Sequence, residues 1–236
     1  MTAINRRTAI VAGACAAVSS VLDPTRGRAE SATVPVVGRT VRWTSVLPND
    51  GWIGGNADQI KTVLAGMKKD KGANPSFVKL IESMVVIAGN SDVYFTNLKD
   101  GVSKSDTITT LKTDVVDRKG KDKTDFSDEQ YRSALAKSLA KGMSGATGAR
   151  GERAPKLTSD VGKVELANEA MIGGRPAMTI KLRGDVENGS AFIDAINIIA
   201  LPDDRWHVIR LTIDADHADG RLRDLDRMLR AIRYSR

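Results

Sequence analysis

The chain has 236 residues, of which 41% are hydrophobic and 28% are charged, and its formal net charge is +7. A chain of this length can bury an ordinary hydrophobic core. Its modest positive charge is distributed over a surface of mixed sign, which favours solubility rather than nucleic-acid binding, and no nucleic-acid partner is expected.

The N-terminal residues have the pattern of an export signal. Arg6 and Arg7 precede 15 uncharged residues, Thr8 to Leu22, and this run is shorter than the ~20 apolar residues of a membrane-spanning helix. Its mild hydrophobicity behind paired arginines predicts twin-arginine export. Small residues in the segment 29–31 suit a cleavage site, so the sequence predicts a signal peptide over residues 1–31.

Three alternatives remain for this segment: an ordinary secretory signal, an uncleaved amphipathic N-terminus, and lipid attachment at Cys15.

Removal of residues 1–31 leaves 32–236, which we expect to form a single domain in the periplasm or outside the cell. Four arginines and two acids lie in the removed part, so the domain carries +5 of the total charge of +7. It contains no cysteine, which excludes thiol catalysis, disulfide bonds and cysteine-based metal sites.

The first half of the domain predicts strands and paired helices. Asn56 and Gln59 have the spacing of a capping box, and Asn74-Pro75 has the N-cap and N1 order that opens a helix. The predicted ranges are a β-rich segment 34–47, a turn at 48–51, helices from Asn56 and from Asn74 to Gly89, and strands 92–98 and 107–116.

A third helix follows a charged loop. Ser127 is its predicted N-cap with Gln130 completing a capping box, Phe126 is expected to pack on Tyr131, and Gly142 has the position of a C-cap. Beyond it, glycines recur every third residue from 142 to 151, but neither a collagen repeat nor a phosphate-binding loop fits their context. We expect a flexible linker there.

The last third predicts two hairpins and a final helix. Gly173-Gly174 can supply the positive φ angles of a tight turn, and Pro176 should lie at a strand start or a sheet edge. A second hairpin is expected around 202–204, and Asp219 is expected to cap the final helix. The fold class predicted is α+β, with an antiparallel sheet flanked by helices on both faces.

Four segments carry a family resemblance: "LPNDGW", "IGGRPAMTIKL", "RWHVIRLTID" and "DLDRMLRAIRY". Together with the element order, they resemble the Mog1/PsbP-like proteins over roughly residues 40–234. The resemblance implies an α/β/α sandwich, as found in many exported bacterial proteins of unknown function. It also implies an interaction role, since relatives bind a small GTPase or support photosystem II, and it transfers no catalytic residue because the fold has no shared active site.

The only histidines, His207 and His217, are not in a metal-binding spacing, and we expect structural or surface roles for both. The segment "DADHADG" at 214–220 clusters carboxylates, but its acids and glycine do not follow the spacing of a calcium loop, and Leu225 stands where the glutamate is required. No metal, cofactor or catalytic residue is predicted. An envelope hydrolase that uses Asp214 and Asp216 with His217 is kept as an alternative.

The candidate contact surface is a row of arginines on the final helix. Arg223, Arg227 and Arg230 lie at i, i+4 and i+7 and form one stripe, and guanidinium groups suit carboxylate or phosphate partners. The alternative is a solvated face with Asp224 and Asp226 as neighbours.

We therefore expect a non-catalytic binding or accessory module of the cell envelope, whose partner is an envelope protein or a small ligand that the sequence does not specify. Membrane contact is expected only through an uncleaved signal or weak peripheral binding. Peripheral binding of anionic lipid headgroups through the arginine stripe is a further alternative.

Overall fold

The computed structural model describes residues 33–70, 72–100, 108–118, 124–143, 158 and 162–235. The predicted export signal, with Arg6, Arg7 and Cys15, lies outside the described residues, as does the glycine-rich segment beyond Met143.

The described residues form ten strands and four α-helices. The strands are β1 (Thr33–Val37), β2 (Trp43–Pro48), β3 (Trp52–Gly55), β4 (Val93–Asn97), β5 (Thr110–Asp117), β6 (Lys163–Ile172), β7 (Arg175–Asp185), β8 (Ala191–Ala200), β9 (Arg205–Asp214) and β10 (Arg233–Tyr234). The helices are α1 (Ala57–Lys69), α2 (Pro75–Gly89), α3 (Glu129–Gly142) and α4 (Ala218–Ala231), with a 3-10 turn at Ala215–His217 before α4.

Seven of these strands make one antiparallel sheet in the order β3-β4-β5-β9-β8-β7-β6. Strands β1, β2 and β10 form a separate small sheet. The predicted segment 34–47 is therefore two strands of a hairpin rather than one. The prediction also missed β3 and β10, because strands of four and two residues are too short to show an alternating pattern.

Alternate residues of the large sheet enter separate cores on its two faces. On β8, Phe192 and Ile196 pack with α3, whereas Ile193 and Ile199 pack beneath α4 and the small sheet. Helices α1 and α2 cover the same face as α3, over Tyr94 of β4. Helices thus lie on both faces of an antiparallel sheet, and the predicted α/β/α sandwich is confirmed.

Most of the helix ends predicted from capping residues are confirmed. The Asn56–Gln59 capping box and the Asn74 cap are present, and α2 ends at Gly89 as predicted. The prediction for α3 was wrong by one residue at each end. Asp128 is the N-cap, and its carboxylate accepts from the backbone N–H groups of Gln130 and Tyr131. Met143 rather than Gly142 is the C-cap.

The corrected cap of α3 has a local cause. The Ser127 hydroxyl instead donates to the Asp125 carboxylate at 2.6 Å, so it does not cap the helix. The expected contact between Phe126 and Tyr131 is present, with ring centroids 6.2 Å apart.

The predicted cap of the final helix was also wrong. The N-cap position of α4 is His217, which makes no capping bond, and Asp219 lies inside the first turn. The Asp214 carboxylate begins the preceding 3-10 turn instead, by accepting from the backbone N–H of Asp216.

The β6–β7 hairpin is as predicted. Gly173 and Gly174 have φ angles of +57° and +73°, which suit the tight turn of a two-residue hairpin. Pro176 lies at the start of β7, before the first residue that pairs with β8, so no ladder bond on that side is lost.

Candidate contact surface

Helix α4 has one buried side and one side of exposed arginines. Leu225 and Met228 pack into the core beneath the helix. Arg223, Arg227 and Arg230 are all exposed, so the structure places the predicted stripe on the outer side of α4. We call these three residues the arginine stripe.

The two acids proposed as neighbours of the stripe behave differently. Asp226 pairs with Arg230 at 2.9 Å, but this pair is largely exposed and solvent screens it. Asp224 is buried and turns towards Arg221, so it does not neutralise the stripe. The stripe therefore keeps most of its positive charge at the surface.

A groove runs beside the stripe, between the C-terminal half of α4 and the β6–β7 hairpin. Its volume is about 690 Å³. Met171 of β6 is 65% exposed, but alternation along the strand directs its side chain to the sheet face opposite to that of Ala170 and Ile172. The lining includes residues of the hairpin and of the helix: Ala170, Ile172, Thr179, Asp226, Leu229, Arg230 and Arg233. We call this the α4 groove, and Arg230 belongs both to it and to the arginine stripe.

Tyr234 of β10 packs against the hairpin turn that helps to line the groove. Its ring lies against the turn of the hairpin, where a Cβ added to Gly173 would be 2.9 Å from Tyr234 Cε2. The Arg175 guanidinium stacks on the same ring at 4.5 Å, and the Tyr234 hydroxyl lies 2.7 Å from His207 Nδ1. The C-terminal strand thereby connects the hairpin to the core.

His207 is fully buried on the α4 face of β9, opposite to the side of Trp206 and Val208, as the alternation predicted. Burial lowers its pKa to about 4, although the negative charge of nearby Asp92 opposes the shift. A neutral imidazole packed on Trp43, with ring centroids 4.7 Å apart, has a structural role in this core.

Asp92 holds the loop between β1 and β2. Its carboxylate accepts from Trp43 Nε1 at 2.6 Å and from the backbone N–H of Arg39 at 2.7 Å, and it also accepts from the N–H of Thr40. Several donors on one buried carboxylate fix the position of the small sheet over the core.

Arg221 sits at the centre of a partly buried ionic cluster at the N-terminal end of α4. Its guanidinium donates to Asp100 at 2.7 and 2.9 Å, to Asp224 at 2.9 Å and to Asp50 at 3.1 Å. It also lies over the ring of Trp52, and the Trp52 indole N–H donates to Asp224 at 3.1 Å. Two residues of the "LPNDGW" segment, Asp50 and Trp52, therefore hold α4 in place.

The pKa values in the cluster favour the charged forms. A hydrogen bond from Lys99, helped by Arg221, holds the pKa of Asp50 below its usual range. Burial alone would raise the pKa of Asp100, but hydrogen bonds from Arg221 and Thr109 outweigh burial and lower it. Hydrogen bonding to Asp100 in turn raises the pKa of Arg221. The cluster fixes one end of α4, which sets the direction of the arginine stripe.

Sequence reasoning missed both the cluster and the groove. Arg221 is separated from Asp100 by 121 positions and from Asp50 by 171, so no local spacing could connect them. The only signal for the cluster was the acid and the tryptophan of "LPNDGW", and no local pattern indicated the groove.

The residues of the hydrolase alternative lie at the start of α4. Asp214 is buried and accepts from the backbone N–H of Asp216 at 2.9 Å, while the side chains of Asp216 and His217 are exposed. Within the described ranges, no group of three or more histidine, cysteine and acidic side chains is arranged to hold a metal ion. No helix in the described part of the chain has the length and apolar character required to cross a membrane.

Comparison with known proteins gives structural matches only. Neither a protein-family model nor a curated protein sequence matches the chain. The solution structure of PsbP (CyanoP) from Synechocystis sp. PCC 6803 matches with a TM-score of 0.52 and 16% identity, covering 91% of this chain and 99% of that chain.

Two further structures match less well. LpqN of Mycobacterium tuberculosis, described as involved in cell envelope biogenesis, has a TM-score of 0.41 and 14% identity over 88% of this chain and 93% of its own. The Ran-binding protein Mog1p of Saccharomyces cerevisiae has a TM-score of 0.45 and 12% identity over 87% and 96%. The likeness to PsbP over nearly the full length of both chains identifies the Mog1/PsbP-like α/β/α sandwich as the fold of this protein.

Proposed function

We propose that this protein is a non-catalytic, exported binding module of the cell envelope, and that the arginine stripe with the α4 groove is its contact surface. The observation that carries the proposal is the juxtaposition of exposed arginines with an open groove of about 690 Å³ whose lining includes the partly exposed apolar side chains of Ala170 and Leu229. Exposed apolar surface rimmed by charge is typical of protein interaction sites.

The charge of the surface favours an acidic partner. In the part of the chain that the structure describes, Arg223 and Arg227 take part in no ion pair, whereas Arg221 on the same helix is neutralised by three acids. A planar guanidinium binds a carboxylate through two parallel hydrogen bonds, which makes arginine well suited to acidic segments of proteins. We therefore propose a partner protein that presents aspartate and glutamate side chains.

A binding experiment with a matched control tests this proposal. The full chain is titrated into a fluorescent peptide of alternating glutamate and valine, and so is the triple variant R223Q/R227Q/R230Q. The control K61Q/K69Q/K79Q removes the same charge from exposed positions on α1 and α2, which cover the other face of the sheet. Because each exposed charge contact contributes ~0.5–1 kcal/mol, the arginine variant should bind about tenfold more weakly or worse.

The control variant should bind within about twofold of the unaltered chain, since it differs only in long-range, salt-screened charge. Equal weakening in both triple variants would show that net charge alone attracts the peptide, and the proposed surface would be wrong. Sedimentation with anionic vesicles, lost in the arginine variant while the peptide does not bind, would favour the lipid alternative instead.

Export is a separate part of the proposal and rests on the sequence of residues 1–31. Arg6 and Arg7 before an uncharged run, followed by small residues near position 29, support a cleaved signal. N-terminal sequencing of the chain recovered outside the cytoplasm should begin near Ser31. A recovered chain that still carries Arg6 and Arg7 would contradict cleavage.

A further inference from the structure

Strand β6 is an open edge of the large sheet. It is ten residues long, it is the last strand in the sheet order, and no described strand pairs with its outer side. The opposite edge, β3, has only four residues, and two of these are glycines. An edge strand presents alternating unpaired N–H and C=O groups that can pair with another extended chain.

The second half of β6 is the part of this edge that is regular enough to pair with another strand. A bulge interrupts the pairing with β7 between Val164 and Leu166, and the register then runs without interruption from Leu166 to Ile172. Proteins commonly block edges with bulges, prolines or short strands. The regular stretch after the bulge has none of these, and Leu166 and Met171 leave 37% and 65% of their surface exposed.

The regular edge borders the α4 groove. Ala170 and Ile172 of β6 pack on the α4 face of the sheet and also line the groove, whose opposite rim includes Arg230 and Arg233. Side chains of a strand alternate between the two faces. A strand added beside 166–172 would therefore direct every second side chain along the open side of the groove, towards the arginines.

We propose that the partner adds to β6 as an extended acidic segment, which forms an eighth strand next to the seven in the large sheet. Main-chain hydrogen bonds to the edge would give affinity, and alternate acidic side chains facing Arg230 and Arg233 would give specificity, as in other cases of strand addition. This inference rests on the proposed function, since the acidic chemistry of the segment comes from the arginine surface.

The test uses the full chain and an eight-residue probe peptide of alternating glutamate and valine, made in three forms. One is unmodified, and the other two carry N-methyl groups on one or the other set of alternate residues. An added strand donates hydrogen bonds to the edge through alternate residues only. Methylation of one set should weaken binding about tenfold or more, because it removes those donors, while methylation of the other set should change it by less than about twofold.

The outcomes separate this inference from the proposed function. Loss of binding in R223Q/R227Q/R230Q together with equal binding of all three peptides leaves the contact surface in place and overturns strand addition. Equal weakening by both methylated sets, or no binding of the unmodified peptide, also overturns it. If β6 is instead occupied by a second copy of the chain, sedimentation without peptide shows a dimer that the peptide does not dissociate, which overturns it as well.

Discussion

Acidification should destabilise the fold through His207. The imidazole is buried between Trp43 and Tyr234, its Nδ1 is hydrogen-bonded to the Tyr234 hydroxyl, and its Nε2 has no hydrogen-bond partner within the described part of the chain. Protonation would place a charge where water cannot solvate it, and Asp92 is the acid that partly offsets this effect.

The magnitude follows from the shift in pKa. The folded-state pKa is about 4, below the ordinary value of 6.5, so the unfolded chain binds the proton first. The free energy of unfolding is therefore highest above about pH 6.5 and decreases as the pH falls towards 4, by about 3 kcal/mol over the whole range. Between pH 7 and pH 4.5 the expected decrease is about 2.5 kcal/mol.

Denaturant unfolding at pH 7 and pH 4.5 measures this decrease. The variant H207N places an amide near the position of Nδ1, towards Tyr234, and cannot titrate in this range. The matched control is H217N, which removes the exposed histidine and should follow the unaltered chain. The unaltered chain and H217N should lose about 2.5 kcal/mol on acidification, and H207N much less. An equal loss in all three proteins would refute the role assigned to His207.

Four further substitutions test the positions of α4, β3 and α3. Asp100→Asn weakens the bonds to buried Arg221 and should lower the free energy of unfolding by about 2 kcal/mol at pH 7. Because the pKa of Asp100 is lowered in the folded state, its stabilising contribution is present above about pH 4 and is lost below. The variant should therefore lose less stability than the unaltered chain on acidification through that range. Gly54→Ala should cost about 2 kcal/mol or more, since φ is +147° and a Cβ would lie 2.1 Å from a carbonyl oxygen of β4. Asp128→Ala should cost about 1 kcal/mol and Ser127→Ala clearly less, because only Asp128 caps α3. Thermal and denaturant unfolding measure all four, and a greater cost for Ser127→Ala than for Asp128→Ala would contradict the observed cap.

The parts of the fold that could be predicted are those with short-range causes. The capping box at Asn56 needs only a residue three positions away, and the Gly173-Gly174 turn needs only two adjacent residues of permissive backbone. The short hairpin turns at 173–174 and 202–204 were enough to predict an antiparallel sheet. The error at Ser127 shows the limit of this approach, since two neighbouring residues, Ser127 and Asp128, can both cap and the choice depends on a third, Asp125.

The parts of the surface that could not be predicted depend on long-range packing. The arginine stripe follows from helical periodicity, and it lies where the sequence placed it. The α4 groove does not, because it exists only where α4 crosses beside β6 and β7, which are distant in sequence. The inward turn of Asp224 is likewise set by Arg221, Asp50 and Trp52 rather than by its own helix.

Hydrogen exchange measured by mass spectrometry, with and without the alternating glutamate–valine peptide, tests the proposed contact surface most directly. Bound peptide should slow exchange in β6 (Lys163–Ile172) and in the C-terminal half of α4, and leave α1 and α2 on the other face unchanged. Protection confined to α1 and α2, or protection of β6 and α4 that persists in R223Q/R227Q/R230Q at the same peptide concentration, would contradict the account.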